Sequence, residues 1–199
     1  MFGISKVKYI LFLLVFTTMS SSSDIIHDNN TSKETKLIKL STNMGDITLE
    51  LYADKAPETV ANFLKYTKEG KLNGTIFHRV IPNFMIQGGG HLPDMSQIAT
   101  FDPIINESNN NISNKKGTIA MARTSSPNSA TSQFFINLRD NEFLDKANAA
   151  DGYGYCVFGQ VTEGIEIVEQ IGGVATGNNA GHSDVPIENV VINSVEVIE

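Results

Sequence analysis

Residues 75–90 read TIFHRVIPNFMIQGGG, a run dominated by apolar, aromatic and β-branched side chains. This composition predicts two short strands, at residues 75–81 and 84–87. Three glycines follow at residues 88–90, but no helix with the GxGxxG spacing comes after them, so a dinucleotide-binding loop is not indicated. Glycines beside a strand more often mark a bulge or a sharp turn. The stretch therefore predicts β-structure without a nucleotide site.

The same pattern of short strands continues through the chain from residue 37. Alternation with period two predicts a hairpin of strands at 37–41 and 47–51, joined by turn residues at 43–46. Apolar and β-branched runs predict four further strands, at residues 118–122, 133–138, 155–161 and 190–198. Two segments have helical spacing instead: one starts around Asp54 and Pro57 and ends at Gly70, and the other covers residues 164–171.

Eight strands with two helices cannot form a doubly wound sheet, which needs a crossover helix after nearly every strand. The natural alternative is a mainly β fold, a closed eight-stranded antiparallel barrel capped by two α-helices that cover apolar side chains at its ends. At 199 residues, 41% apolar and 19% charged, the chain fits one globular domain, given a prior of roughly 100–200 residues per domain. Disordered and collagen-like classes are excluded.

Charge and residue counts exclude several kinds of function. The chain has 15 Lys and Arg against 22 Asp and Glu, a net charge of -7 that has the wrong sign for a nucleic-acid binder. Its single cysteine, Cys156, allows no intramolecular disulfide, CxxC redox pair or cysteine-based zinc cluster. No pair of histidines stands at metal-ligand spacing, and the ring nitrogens of His78 are expected to be satisfied by backbone groups. Neither a metal nor a cofactor is indicated.

The N-terminal residues have the composition of a secretory signal peptide. Lys6 and Lys8 precede an apolar run at 9–16, and small hydroxyl-bearing residues follow it. This run is too short to cross about 30 Å of hydrocarbon, so we expect export with cleavage near residues 22–23. An uncleaved anchor or a buried helix is the alternative. The expected organisation is a signal peptide at 1–23, a polar linker at 24–36 and a folded domain at 37–199.

Two segments combine large apolar residues with polar residues of exposed type inside strands. The first, residues 77–89, reads FHRVIPNFMIQGG, and the second consists of MAR at 121–123 and NSATSQFFIN at 128–137. From about Leu37 to the C-terminus the chain resembles the cyclophilins, the cyclosporin-binding family of peptidyl-prolyl cis-trans isomerases. GTIAMART, the short loop around PIINE and Phe143 in NEFLD are similar to the bacterial periplasmic type of that family.

The resemblance implies an eight-stranded antiparallel barrel with two capping helices and a substrate groove on its outer surface. It implies that Arg79 is the catalytic residue and that Gln87 is a hydrogen-bonding partner of the substrate backbone. The wall of a proline pocket would consist of Phe84, Met85, Phe135 and Leu144. The adjoining groove would be lined by Ala122 and Gln133.

Three positions depart from eukaryotic members of the family. Phe143 stands where many of them carry a tryptophan whose indole N–H donates a hydrogen bond to cyclosporin, so we expect weakened cyclosporin affinity with activity retained. Arg123 stands where they often have asparagine, and its charge is expected to alter substrate preference. Tyr155 occupies the position of a pocket histidine. Phe134, on the other face of its strand from Phe135, is expected in the barrel interior.

The implied function is isomerisation of X-Pro bonds in proline-containing polypeptides, in support of protein folding. It needs no cofactor, proton transfer or covalent intermediate. Together with the export signal, the resemblance implies the periplasm as the compartment, with a secretory-pathway lumen or the medium as the alternative. The alternative function is a binding module or chaperone that uses the same groove, with catalysis incidental. A monomer is expected, because no surplus apolar element remains once the barrel closes.

Overall fold

The structure is a computed structural model of the chain and describes residues 1–2 and 36–198. The predicted signal peptide and linker therefore lie outside the described residues, apart from residues 1–2 and 36. Within the described part, no helix has the length and apolar character needed to cross a membrane.

The described domain is mainly β, with eight strands in one antiparallel sheet and two α-helices. The sheet strands are β1 (Lys36–Thr42), β2 (Gly45–Leu51), β3 (Arg79–Ile81), β4 (Met85–Gly88), β5 (Thr118–Met121), β6 (Phe134–Asn137), β7 (Val157–Glu163) and β10 (Ile192–Val197). The helices are α1 (Pro57–Lys68) and α2 (Ile165–Gly172), and a separate hairpin consists of β8 (Thr176–Asn179) and β9 (His182–Pro186). All the predicted strands and both predicted helices are present, with shifted ends, whereas the hairpin β8–β9 is absent from the prediction.

The sheet curls strongly into a half-barrel, and the predicted closed barrel is wrong. Its strand order, β10-β1-β2-β7-β5-β6-β4-β3, leaves β10 and β3 as edges. Just before β3 and β10 the two segments come together, but Ile76 and Val191 form only an isolated bridge and not a ladder. Residues 75–77 are all fully buried, whereas a regular strand places successive side chains on opposite faces. This segment leaves β4, so that only Arg79–Ile81 of the predicted strand pairs with it.

One apolar core is shared by the sheet and both helices. The ring of Phe63 in α1 lies 5.6 Å from that of Phe134 and 5.4 Å from that of Phe158. Val168 and Ile171 of α2 are fully buried in the same cluster. The helices thus cover apolar side chains of the sheet, and Phe134 lies in the interior, as predicted.

Helix α1 obtains its N-terminal cap from a distant loop. Ala56 precedes the helix and has no side chain that could accept from the free N–H groups of the first turn. Instead, the Glu107 carboxylate accepts from the N–H groups of Glu58 and Thr59, at 3.2 and 2.8 Å, and from the Thr59 hydroxyl at 2.7 Å. A negative charge at this end also suits the helix dipole. The PIINE loop is thereby tied to α1.

Candidate active site

Strand register places the predicted catalytic residues in one row on the outer face of the sheet. Arg79 pairs with Gln87, Gln87 with Phe135, and Phe135 with Ala120. Side chains alternate between the two faces of a strand. The neighbours of the row that are fully buried in the core are Val80, Ile86 and Ile136. Arg79, Gln87 and Phe135 therefore face outward together.

A second apolar cluster lies along this row, separate from the core. Its buried members are Met85, Ala120, Phe135, Leu144 and Val157. The adjacent cavity has a volume of about 160 Å³, against the roughly 30 Å³ that one water occupies and the roughly 300–1,000 Å³ of pockets for drug-sized ligands. It therefore has room for one side chain. Its lining consists of Arg79, Phe84, Met85, Gln87, Ala122, Arg123, Phe135, Leu144 and Tyr155, all of them predicted site residues.

The two remaining predicted site residues lie beside this cavity. Gln133 lines an adjoining pocket of about 170 Å³, and Gln87 and Ala122 line both. Phe143 is half exposed and stacks on Phe84, with the ring centroids 5.7 Å apart. The structure thus brings all the predicted site residues into one region of the surface.

Arg79 is held by long contacts on two sides. Its side chain is 44% exposed. Nη1 donates a hydrogen bond of 3.5 Å to Oε1 of Gln87, whose Nε2 donates in turn to Oε1 of Gln133 at 2.9 Å. On the other side, Nε of Arg79 lies 3.8 Å from Oδ2 of Asp184. Sequence reasoning missed Asp184 because it belongs to the hairpin β8–β9.

Arg123 lines the same cavity, but its guanidinium is used elsewhere. Its side chain is only 3% exposed. Nε and Nη2 donate to the Gly154 carbonyl at 3.0 and 2.9 Å, Nη1 donates to the Thr124 carbonyl at 3.0 Å, and Nη2 donates to the Asp151 carboxylate. The hydrogen bond from Arg123, with two from backbone N–H groups, lowers the pKa of Asp151 to about 2. The guanidinium also lies 4.4 Å from the ring centre of Tyr155. Arg123 therefore fixes the loop at 151–155; the predicted effect of its charge on substrates stays a prediction.

Buried asparagines hold the short turn that carries Phe143 and Leu144. Asn141 donates to the Phe84 carbonyl at 2.9 Å and to Oδ1 of Asn137 at 2.8 Å. Just after the turn, the Asp145 carboxylate accepts from the backbone and side-chain N–H groups of residue 114, at 2.7 and 2.9 Å. Sequence reasoning missed this network, because its asparagines are scattered along the chain and each of them also fits an ordinary loop.

Three histidine rings lie in contact on the side of the sheet next to Arg79. The ring centroids of His78 and His91 are 4.3 Å apart, and those of His91 and His182 are 5.2 Å apart. Burial, followed by the charge of His91, lowers the pKa of His78 to about 4, and burial also lowers that of His91. Nδ1 of His78 is buried without a hydrogen-bond partner among the described residues, so the expected backbone satisfaction is wrong for that atom. In residues 36–198 no group of three potential ligands could hold a metal ion.

Comparison with known proteins assigns the family. Residues 37–197 match the model of the cyclophilin type peptidyl-prolyl cis-trans isomerase family. "Peptidyl-prolyl cis-trans isomerase B" of Escherichia coli (strain K12) is 56% identical over 164 residues, which cover 82% of this chain and 100% of that protein. "Peptidyl-prolyl cis-trans isomerase cyp18" of Streptomyces antibioticus is 53% identical and covers 81% of this chain and 98% of its own.

A solved structure supports the same assignment at the level of the fold. The cyclophilin type peptidyl-prolyl cis-trans isomerase of Cryptosporidium parvum matches with a TM-score of 0.65 and 26% identity. The match covers 83% of this chain and 98% of that one. With the row, the cavity and these relatives taken together, the chain belongs to the cyclophilin-type peptidyl-prolyl cis-trans isomerases.

Proposed function

We propose that Arg79 accelerates rotation about the X-Pro bond by placing its guanidinium beside the prolyl nitrogen. The observation that carries this proposal is position: an exposed cation stands in the outward row and lines a cavity of side-chain size that also has apolar wall residues. A proline ring in the cavity would bring its imide bond next to that cation.

The chemistry follows from the electronic structure of the amide. Rotation faces a barrier of about 18–20 kcal/mol because resonance delocalises the nitrogen lone pair into the carbonyl. When the bond twists, the lone pair becomes localised on nitrogen and can accept a hydrogen bond. An N–H group that donates to it stabilises the transition state more than the ground state, and this difference accelerates the reaction. The charge of Arg79 is permanent and its donors form a fixed fork, which suits this task better than a lysine.

The cavity and Gln87 have a separate task, which is to hold the substrate still. Burial of the pyrrolidine ring against Met85, Phe135 and Leu144 contributes about 25 cal/mol per Å² of apolar surface. This contact makes no demand on the residues beside the proline, so a wide range of proline-containing polypeptides is expected. Gln87, between Arg79 and Gln133 in the hydrogen-bond chain, is placed to orient the substrate backbone.

Replacement of Arg79 by lysine tests the role of the fork, because the charge remains while the paired donors are lost. We expect kcat/KM in a proline-peptide assay to fall about 100-fold, the cost of removing one well-placed donor. The Kd of an Ala-Pro peptide, measured by NMR titration, should change little. Arg139→Lys, the same replacement at an arginine outside the cavity lining, serves as the control. Wild-type kcat/KM for Arg79→Lys would contradict the proposal.

We also propose that the protein belongs to the bacterial periplasmic type, acts after export as a monomer, and serves folding polypeptides in that compartment. Support comes from the tripartite pattern of residues 1–23 and from the GTIAMART and NEFLD motifs. An intact mass of the protein isolated from its native host, in separate cell fractions, tests the signal cleavage. A full-length chain confined to the cytoplasm would contradict it. Light scattering of the isolated protein tests the monomer.

A further inference from the structure

The hairpin β8–β9 lies against the edge of the sheet that carries Arg79. Its strand β9 is next to β3. Val185 of β9 is 1% exposed and packs in a small apolar cluster with Ile76 and Met95. Ile76 lies just before β3, so this cluster fastens the hairpin to the segment that leads into Arg79.

A bulge sets the direction of the Asp184 side chain. Gly177 pairs with Val185 and Asn179 with His182, so β9 has two residues where β8 has one. Asp184 occupies this extra length with a φ of +62°, a left-handed conformation that costs energy for residues other than glycine and is tolerated best by Asn and Asp. Bulges of this kind re-aim a side chain and are frequent beside active sites. An unfavourable backbone held in place by its surroundings is a pointer to function.

The re-aimed carboxylate reaches Arg79. Oδ2 of Asp184 is 3.8 Å from Nε of Arg79, while Nη1 of the same guanidinium donates to Gln87 at 3.5 Å. The guanidinium is therefore contacted at two of its three nitrogens, by a strand of the sheet and by the hairpin. Neither contact uses Nη2, whose N–H groups remain for a substrate.

We propose that Asp184 is a positioning residue for Arg79: the bulged hairpin places its carboxylate so that the guanidinium faces the cavity in one orientation. This inference rests on the catalytic role proposed for Arg79. An exposed arginine has several rotatable bonds, and a donor that is misplaced by about 1 Å can lose up to 100-fold in rate. The contact at Nε, added to the one with Gln87 at Nη1, limits rotation of the guanidinium. Its remaining N–H groups then stay in the orientation in which they can reach the nitrogen of a twisted amide.

Asp184→Asn is the informative variant, because asparagine has the same shape and tolerates the same left-handed backbone. We expect kcat/KM to fall about tenfold, between the small worth of an exposed ion pair and the full cost of a misplaced donor. The Kd of an Ala-Pro peptide should not change. Asp46→Asn is the matched control: it removes the same charge from an exposed pair with Lys39 at 2.7 Å, remote from the cavity. It should keep wild-type kcat/KM.

A double-mutant cycle distinguishes positioning from a general effect of charge or stability. If Asp184 acts through Arg79, Asp184→Asn should cause no further loss in the Arg79→Lys background, where the fork is already absent. The Nε–H signal of Arg79, identified in NMR spectra by its loss in Arg79→Lys, should shift in Asp184→Asn and stay in place in Asp46→Asn.

Three outcomes would overturn the inference: wild-type kcat/KM for Asp184→Asn, the same tenfold loss in the Arg79→Lys background, or an unmoved Nε–H signal. A failure of the proposed function looks different, because Arg79→Lys itself would then retain full activity whatever stands at position 184.

Discussion

Arg79 and Arg123 line the same cavity, yet they are held in opposite ways. Arg79 is 44% exposed, with contacts of 3.5 and 3.8 Å, whereas Arg123 is 3% exposed and donates three hydrogen bonds to the loop at 151–155 and a fourth to the Thr124 carbonyl. Four of the five N–H donors of Arg123 are thus used within the protein, which leaves little to offer a substrate. The loosely held Arg79 keeps donors for the catalytic role proposed for it, whereas Arg123 holds a loop in place.

Arg79→Ala gives the largest expected effect and tests the catalytic role proposed for Arg79. We expect the activation free energy to rise by about 3 kcal/mol, since one transition-state donor is lost. The free energy of unfolding should change by less than about 0.5 kcal/mol, because the side chain is exposed and its contacts are long. Kinetics with a proline peptide and urea denaturation measure the two quantities. A large loss of stability with little loss of activity would reverse the roles.

As the pH falls, protonation of His78 next to Arg79 should lower the free energy of unfolding before the contact between Arg123 and Asp151 is affected. His78, next to Arg79, has its pKa lowered from 6.5 to about 4, so the unfolded chain binds a proton that the folded chain resists. Its contribution to stability is complete above pH 6.5 and is lost as the pH falls toward 4, by about 3 kcal/mol. Asp151, with a pKa of about 2, stays ionised over this range and keeps its bond to Arg123.

Urea denaturation between pH 7 and pH 4 measures this loss, and His78→Gln should remove much of it. If the free energy of unfolding fell equally with pH in the wild type and in His78→Gln, His78 would not be the group responsible.

Arg123→Ala tests whether Arg123 holds the loop in place. Its removal takes two of the three donors from the carbonyl of the buried Gly154 and breaks the hydrogen bond to the Asp151 carboxylate, so the free energy of unfolding should fall by about 2 kcal/mol. Amide exchange at residues 151–155 should accelerate. Lys116→Ala, which breaks an exposed pair with Glu169, is the control and should cost less than about 0.5 kcal/mol. If Arg123→Ala were as stable as this control, the loop would not depend on the guanidinium.

Phe143→Trp has the smallest expected effect. It extends the comparison from the two arginines to an exposed apolar residue beside the cavity. Phe143 is half exposed on Phe84, so an indole fits there and adds an N–H donor. We expect cyclosporin affinity to rise about tenfold, the worth of roughly one net hydrogen bond. Tyr153→Trp adds the same group at another half-exposed position and should leave the affinity unchanged. Equal cyclosporin titration curves for Phe143→Trp and the wild type would refute the prediction that the missing N–H donor at residue 143 weakens cyclosporin binding.

The strands could be predicted because their signals are local, whereas the site residues were implied by the family resemblance of their motifs. Alternation in 37–41 and 47–51 places apolar side chains on one face, and the FHRVIPNFMIQGG motif identified Arg79 and Gln87 through its resemblance to the cyclophilins. The closed barrel could not be checked in this way. Whether residues 75–77 continue a strand depends on their burial between two layers, which the pattern of one strand does not encode.

What sequence reasoning missed lies in contacts between distant residues. The hairpin β8–β9 reads as a loop because Gly177, Asn178 and Asn179 are turn formers with little to bury. Asp184 is far from Arg79 in the sequence, and only the fold brings the two side chains together. Arg123 looked like a free charge because its partner, Asp151, lies in another loop, and no local rule links the two.

The cap that Glu107 supplies to α1 has a consequence for the order of folding. A 12-residue helix is marginal in water, and this one lacks a local cap. During synthesis the first turn of α1 emerges about fifty residues before Glu107 does, which is several seconds at roughly 5–20 residues per second. Over that interval the first turn of α1 lacks the acceptor for its free N–H groups, so the helix stays frayed at this end. The PIINE loop thus acts late in folding: it completes a helix whose residues were synthesised much earlier.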